Sequence, residues 1–356
     1  MIKRHSTDVQ RRISLVERIG VIYICIITIC IWRTIAYEGF WEVKNWVTQT
    51  DRENYENLIN NVKLFNIFDI LSYDGAFERG YIALSWLFSS FELGINSLIL
   101  MNEVLFAYAF LRLSFLISSE HTTSLGNRLF ICMVSISFLL MTPFFHSYSN
   151  NIIRQSFATS FVILFLVNFI ERKIIISFLF FLLVPLFHFA SIISLCALLV
   201  TIVLYKIRFP VNGFIVIFVI SSLMYILEVP TIFKHDLYNA IFAFYNKVEN
   251  FASSGNYQTG FKIKFFLTSF VGILLSIFIV KTNGRVSYVL FGMFSIITGA
   301  YMMLSAFDYY DRVAITSWIL IPVFAALVVA RAIFWLLKRR VLSSESGVER
   351  WPIESN

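Results

Sequence analysis

The chain has 356 residues, of which 58% are hydrophobic and 14% charged, and a formal net charge of +7. Soluble domains carry roughly 25% charged residues, so this composition, with a mean hydropathy of +0.76, excludes a soluble globular domain and indicates a polytopic membrane protein. The positive balance then reads as membrane topology, and nucleic acid is not needed as a partner.

Apolar runs occur at 21–36, 97–117, 129–145, 152–170, 174–205, 214–229, 265–280, 286–306 and 314–337. Each approaches or exceeds the roughly 17–25 residues a helix needs to cross hydrocarbon. The run 174–205 is twice a short span, with Pro185 and His188 near its middle. It is therefore expected to form two short helices meeting near His188, which gives an all-α protein of about ten transmembrane helices. The apolar stretch 80–91 is too short to cross and reads as a re-entrant or interfacial helix. The first run follows a basic head without a small-residue cleavage site, so it is expected to stay as an anchor. Cys25, Cys30, Cys132 and Cys196 all lie in apolar runs, which argues against a disulfide or a metal cluster.

Orientation follows from the excess of Lys and Arg on the cytoplasmic side. With both termini inside, sixteen cationic residues fall in the cytoplasm and nine outside; Arg33, Arg112, Lys264 and Arg331, at or within spans, are left to snorkel. The expected organisation is a cytoplasmic segment at 1–18, a single membrane domain at 19–337 with outer segments 37–79 and 230–262, and a cytoplasmic tail at 338–356.

This arrangement gathers the chemistry-bearing residues on the outer face: Asp51, Glu53, Glu56, Asp69, Asp74, Glu78, Arg79, His146, Asn150, Arg154, His188, His235, Asp308, Asp311 and Arg312. Arg154 opens the run at 152–170 and Arg312 precedes the last one. A cation at a helix N-terminus opposes the macrodipole, but an incoming anion reverses the sign, because free N–H groups and a guanidinium fork together suit phosphate oxygens. Asn150, four residues before Arg154, would share its face. The plainer alternatives are snorkelling for Arg154 and pairing with Asp308, or capping by Asp311, around Arg312. His188 interrupts an apolar run between Phe187 and Phe189, and an ionisable group in such a place is a functional candidate. It suits a general base or a phosphate ligand, or else it holds the helix break through a carbonyl.

Arg154-Gln155-Ser156-Phe157-Ala158 and Phe187-His188-Phe189-Ala190-Ser191 resemble the paired R-Q-x-x-A and F-H-x signatures of the EpsG family of bacterial polysaccharide polymerases, relatives of Wzy-type O-antigen polymerases. Asp51-Arg52-Glu53-Asn54-Tyr55 is similar to the family's D-x-x-x-Y segment, Glu78-Arg79-Gly80-Tyr81 to its E-P-G-[YF] element, and Tyr309-Tyr310-Asp311-Arg312 to its last-loop arginine. Arg79 stands where the family usually has Pro, and Thr50 precedes Asp51 where the family usually has Gly and a small polar residue.

The resemblance implies a glycosyltransferase of GT-C architecture at the periplasmic face of the bacterial inner membrane; the absence of a D-x-D pattern, with arginines in the phosphate role, suggests a metal-independent reaction without a cofactor. It would transfer a growing glycan from undecaprenyl pyrophosphate to the terminal sugar of the next lipid-linked repeat unit, as in lipopolysaccharide biosynthesis. Its partners would be those repeat units and membrane lipid, with a chain-length regulator and a flippase alongside. Arg154 and Arg312, with Arg79 as a third cation, would meet the pyrophosphate. His188 would be base or phosphate ligand, with Glu78 the alternative base. Asn150, Asp51, Tyr310 and Asp311 would support the site. A lipid-linked oligosaccharide flippase would need polar residues along a path open to both sides. An O-antigen ligase shares the chemistry with a different acceptor, and a membrane O-acyltransferase would need an acyl-donor histidine on the cytosolic side.

Overall fold

A computed structural model describes residues 15–37, 49–73, 77–143, 145, 148, 152–233, 259–280, 284–307 and 310–346. Within them the helices are α1 (Leu15–Tyr37), α2 (Gln49–Val62), α3 (Ile67–Ser72), α4 (Arg79–Ser90), α5 (Ile95–His121), α6 (Leu125–Leu140), α7 (Ile153–Ile170), α8 (Ile174–Phe187), α9 (Ile192–Lys206), α10 (Val211–Ile226), α11 (Val229–Ile232), α12 (Ile263–Val280), α13 (Arg285–Met303), α14 (Tyr310–Trp318) and α15 (Ile321–Ser346). Six helical stretches among the described residues are long and apolar enough to cross a membrane, and four shorter apolar helices occupy the remaining expected runs. The chain is thus a multi-pass membrane protein whose described residues form helices and no strands.

The run 174–205 breaks where Pro185 and His188 predict. α8 contains Pro185 and ends at Phe187; His188 is extended, with φ −160° and ψ 110°, and a 3₁₀ turn, Phe189–Ser191, leads into α9. A proline in the last turn of a helix removes a donor and favours termination nearby. The run 314–337 departs from expectation. It is divided into α14 and α15, with Pro322 in the first turn of α15, the part of a helix where a missing N–H costs nothing.

α7 is the enclosed helix. Gln155 through Asn168 are all buried, because α7 packs on α5 and α8. α13 plays the same part for the second half of the chain, between α9, α10, α12 and α14. The core between α7 and α8 is aromatic, with Phe157, Phe161 and Phe187 in mutual contact and the Phe161–Phe187 pair edge-to-face, a geometry that packs apolar surface with a directional bonus.

Charges inside these helices are paired. An Arg or Asp at mid-span costs about 2.5–3.5 kcal/mol on insertion scales, and an opposite charge offsets that. Arg33 meets Glu103 at 2.7 Å, Arg112 meets Glu171 at 2.5 Å, and Arg128 meets Glu17 at 3.0 Å. Arg33 and Arg112 therefore turn into ion pairs where snorkelling was expected. Arg331 donates to the Phe278 carbonyl and lies against His121, so it too is held within the protein.

Carboxylates at the other end of the bundle are likewise held by partners. At the end opposite Arg154, Glu171 joins Arg112 and Lys173, and Glu120 accepts from Val286 N–H, Ser287 N–H and Ser287 Oγ. Those carboxylates are consumed by helix capping and pairing. Glu120 in particular caps the N-terminus of α13, where negative charge is favoured.

Candidate active site

The site assembles where three chain ends meet: the turn before α4, the first turn of α7 and the break between α8 and α9. α4 is a short helix of 12 residues, as the stretch 80–91 predicts, and its first turn is pressed onto the C-terminal end of α8. A Cβ built on Gly80 would lie 2.7 Å from the Leu186 carbonyl oxygen. Only glycine permits that approach. The consequence is that Glu78, two residues upstream, is delivered to His188, two residues beyond Leu186.

The Glu78 carboxylate is shared among three partners, two side chains and one backbone N–H. Arg154 donates to Oε2 at 2.5 Å, His188 Nδ1 lies 3.3 Å from Oε1, and the Phe189 N–H reaches Oε1 at 3.3 Å. All three side chains are largely buried, with Arg154 16% and His188 13% exposed. Arg154 is further held by the Tyr55 hydroxyl and lies over the Phe77 ring at 4.7 Å, a cation–π contact that fixes its plane. Snorkelling toward the headgroups is therefore not what Arg154 does. Burial alone would raise the Glu78 carboxyl; the His188 hydrogen bond and the Arg154 charge outweigh it and hold it down to about 2.

The direction of that shift bears on two chemical roles. A carboxylate held at about 2 is a weak proton acceptor near neutrality, and general bases work best with a pKa near the operating pH. It is well suited to accept a hydrogen bond from His188 Nδ1, which fixes the neutral ring with its lone pair on Nε2. His188 Nε2 is buried and has no hydrogen-bond partner among the described residues. An imidazole nitrogen in that state is poised to take a proton from a bound hydroxyl.

Arg312 approaches from α14. Its backbone carbonyl accepts from the Gln155 amide, which ties the start of α14 to the start of α7. Its guanidinium lies within electrostatic reach of His188. Two arginines, one carboxylate and one imidazole thus occupy one end of the helix bundle.

Other candidates fall elsewhere. Arg79 is exposed and donates to the Tyr73 carbonyl at 3.5 Å, so the structure does not bring it to the carboxylate. Tyr310 is buried, bonds the Gly260 carbonyl at 2.8 Å and the Tyr225 hydroxyl at 3.2 Å, and stacks on Tyr301. It clamps the start of α14 to the segment before α12, a supporting role at one remove from the cluster. Asn150, like His146, His235, Asp74 and Asp308, lies outside the described residues. The backbone of Asp51 is in α2 and that of Asp311 in α14, while their side chains lie outside the description. Tyr55, Phe77 and Gln155 join the site without having been assigned roles from sequence. Tyr55 and Gln155 stand inside the motifs quoted above; Phe77 carries no signal of its own.

Fold and site together define a helical membrane protein with two arginines, a carboxylate and an imidazole gathered at one end of its bundle. The chain belongs to the EpsG family, which matches residues 21–342. Membership agrees with the motif resemblance and points to a membrane glycosyltransferase-type role. Comparison with curated proteins and with solved structures gives no match.

Proposed function

We propose that this protein is a polysaccharide polymerase that moves a growing glycan from a lipid pyrophosphate to the terminal sugar of the next lipid-linked repeat unit at the periplasmic face of the inner membrane. The observation that carries the reading is the Glu78 carboxylate bridging Arg154 and His188 beside Arg312.

In this reaction the bond between the anomeric carbon and the pyrophosphate oxygen breaks, and the pyrophosphate leaves with the electron pair. The acceptor hydroxyl oxygen bonds to the anomeric carbon and loses its proton. Arg154 and Arg312 supply fixed positive charge where the leaving group becomes more negative, an electrostatic role whose removal typically costs about 100- to 1,000-fold in rate. His188 Nε2 receives the acceptor proton, and Glu78 orients the ring and stabilises the imidazolium that forms, the division of labour seen in acid–base–nucleophile triads. Undecaprenyl is the carrier lipid that the family resemblance implies, and a GT-C architecture goes with it.

The test is complementation of a polymerase-null strain carrying the matching repeat-unit genes, with lipid-linked glycan resolved by length. A ladder of long chains supports polymerisation. Single repeat units capped on the final acceptor would indicate a ligase, and repeat units appearing outside without extension would indicate a flippase.

A further inference from the structure

The segment between α2 and α4 carries an apolar face that the described residues leave uncovered. Ile67, Phe68 and Leu71 share one side of α3, and Leu64 precedes it; Phe68 is 76% exposed and Leu64 89%. Ile70, on the opposite side of α3, is buried. The short helix is held rigid by a reciprocal capping box, in which Asn66 accepts from the Phe68 and Asp69 N–H groups and Asp69 accepts from the Asn66 N–H. An ordered element presenting large apolar groups outward has been built to meet something.

What it meets is indicated by its surroundings. The Trp86 indole donates to the Phe65 carbonyl at 2.9 Å, and Lys63 pairs with Glu92 at 3.9 Å on the exposed side, so α3 and the end of α4 form one surface. That surface continues through exposed Phe91 and Leu93 to the start of α5, a membrane-length helix whose outward Leu100 and Val104 are exposed as well. Indole and lysine beside an apolar stripe are the usual composition of a headgroup-level anchor.

We infer that α3 seats on the bilayer, with Leu64, Ile67, Phe68 and Leu71 in the acyl–headgroup boundary of the leaflet next to the active site. The seat sets the height of Glu78, six residues past the end of α3 at Ser72, at the level where the phosphates of membrane lipids lie. The inference rests on the chain being membrane-embedded and uses no glycan chemistry, so an inactive polymerase assay would leave it standing.

The experiment is nitroxide accessibility in phospholipid nanodiscs. Cys30 and Cys196, the exposed native cysteines, are replaced by Ser, and single cysteines are introduced as Leu64→Cys, Phe68→Cys and Leu71→Cys, with Asn60→Cys on exposed α2 as the aqueous control. Each is spin-labelled and its collision rates with oxygen and with a water-soluble nickel chelate are compared. The oxygen-to-nickel ratio should be severalfold higher at 64, 68 and 71 than at 60. Nickel collision at 68 and 71 equal to that at 60 would put the face in water and overturn the inference. Exclusion of both reagents would also overturn it, since protein, from a second copy or another chain, would then cover the face. All four positions are surface sites, so a labelling defect at one is resolved by the others.

Discussion

Gly80 lies so close to the Leu186 carbonyl that a methyl group in its place would sit 2.7 Å from the oxygen. The contact is between backbones, so no flexible side chain can move aside. Gly80→Ala should therefore push α4 off the end of α8 and draw Glu78 away from His188. A displacement of about 1 Å in a catalytic arrangement costs on the order of 100-fold. Polymer formation measured in membranes should fall by about that factor while the protein remains inserted. Wild-type activity in Gly80→Ala would mean that the Glu78 to His188 contact is not needed.

Arg154 should be tested in two steps, because removing it also strands Glu78. A buried carboxylate that loses its partner destabilises by about 3–5 kcal/mol, so Arg154→Ala is expected to lower both activity and abundance. Arg154→Ala combined with Glu78→Gln removes both charges and should restore abundance, measured by detergent extraction and size-exclusion chromatography. Activity of the double variant should stay about 100- to 1,000-fold down. Arg154→Lys should rescue poorly, since a point charge cannot reach Glu78 and Tyr55 in the fork geometry that Arg provides. An active double variant would leave Arg154 with only the task of neutralising Glu78.

Much of this architecture is visible in the sequence because membrane helices are written as long apolar runs with few breaks. The division at His188, the short α4 and the position of Arg154 in the first turn of α7 all follow from local pattern. The site is less legible, because its key contacts join residues far apart. Arg154 and Glu78 are separated by 76 positions and His188 and Glu78 by 110, and no periodicity links them. Arg112 and Glu171 pair for the same reason without a local sign. Phe77, under the Arg154 guanidinium, is one of 39 phenylalanines, so composition could not single it out. The break at Ile319–Leu320 was hidden inside an uninterrupted apolar run, with Pro322 as its only mark.

The orientation deserves a direct measurement, since charge bias assigns it without a contact in the structure. In the background lacking Cys30 and Cys196, Asn57→Cys on the exposed side of α2 and Lys206→Cys at the end of α9 lie on the two expected sides. An impermeant maleimide applied to intact spheroplasts should label Asn57→Cys and spare Lys206→Cys until the membrane is permeabilised. The reverse pattern would place Glu78, Arg154 and His188 on the cytoplasmic side and remove the periplasmic reaction.

The depressed Glu78 carboxyl gives a stability signature in acid. Its folded pKa, about 2, lies below the ordinary 4.5, so ionised Glu78 stabilises the fold at all pH values above about 4.5 and this contribution fades as pH falls toward 2. Thermal unfolding midpoints of detergent-solubilised protein should drop through that window, and Glu78→Gln should flatten the drop while lowering the midpoint at neutral pH. A wild-type profile indistinguishable from Glu78→Gln between those limits would show that the carboxylate is not held by Arg154 and His188 in solution.

The roles of Glu78 and His188 separate most clearly in kinetics. If His188 Nε2 takes the acceptor proton, His188→Ala and His188→Gln should both be severely impaired, because the Gln amide can donate a hydrogen bond but cannot accept a proton at neutral pH. Residual activity should then rise with pH as solvent base takes over. Glu78→Gln keeps shape and hydrogen bonding but loses the charge that orients and stabilises the imidazolium, so kcat should fall. The same substitution removes a negative charge beside the pyrophosphate position, so binding of the lipid pyrophosphate donor should tighten and KM fall with kcat. A carboxylate that acted as the base itself would give a loss of kcat in Glu78→Gln as deep as in His188→Ala. Substantial activity in His188→Gln together with an inactive Glu78→Gln would transfer the proton to Glu78 and leave His188 as a phosphate donor.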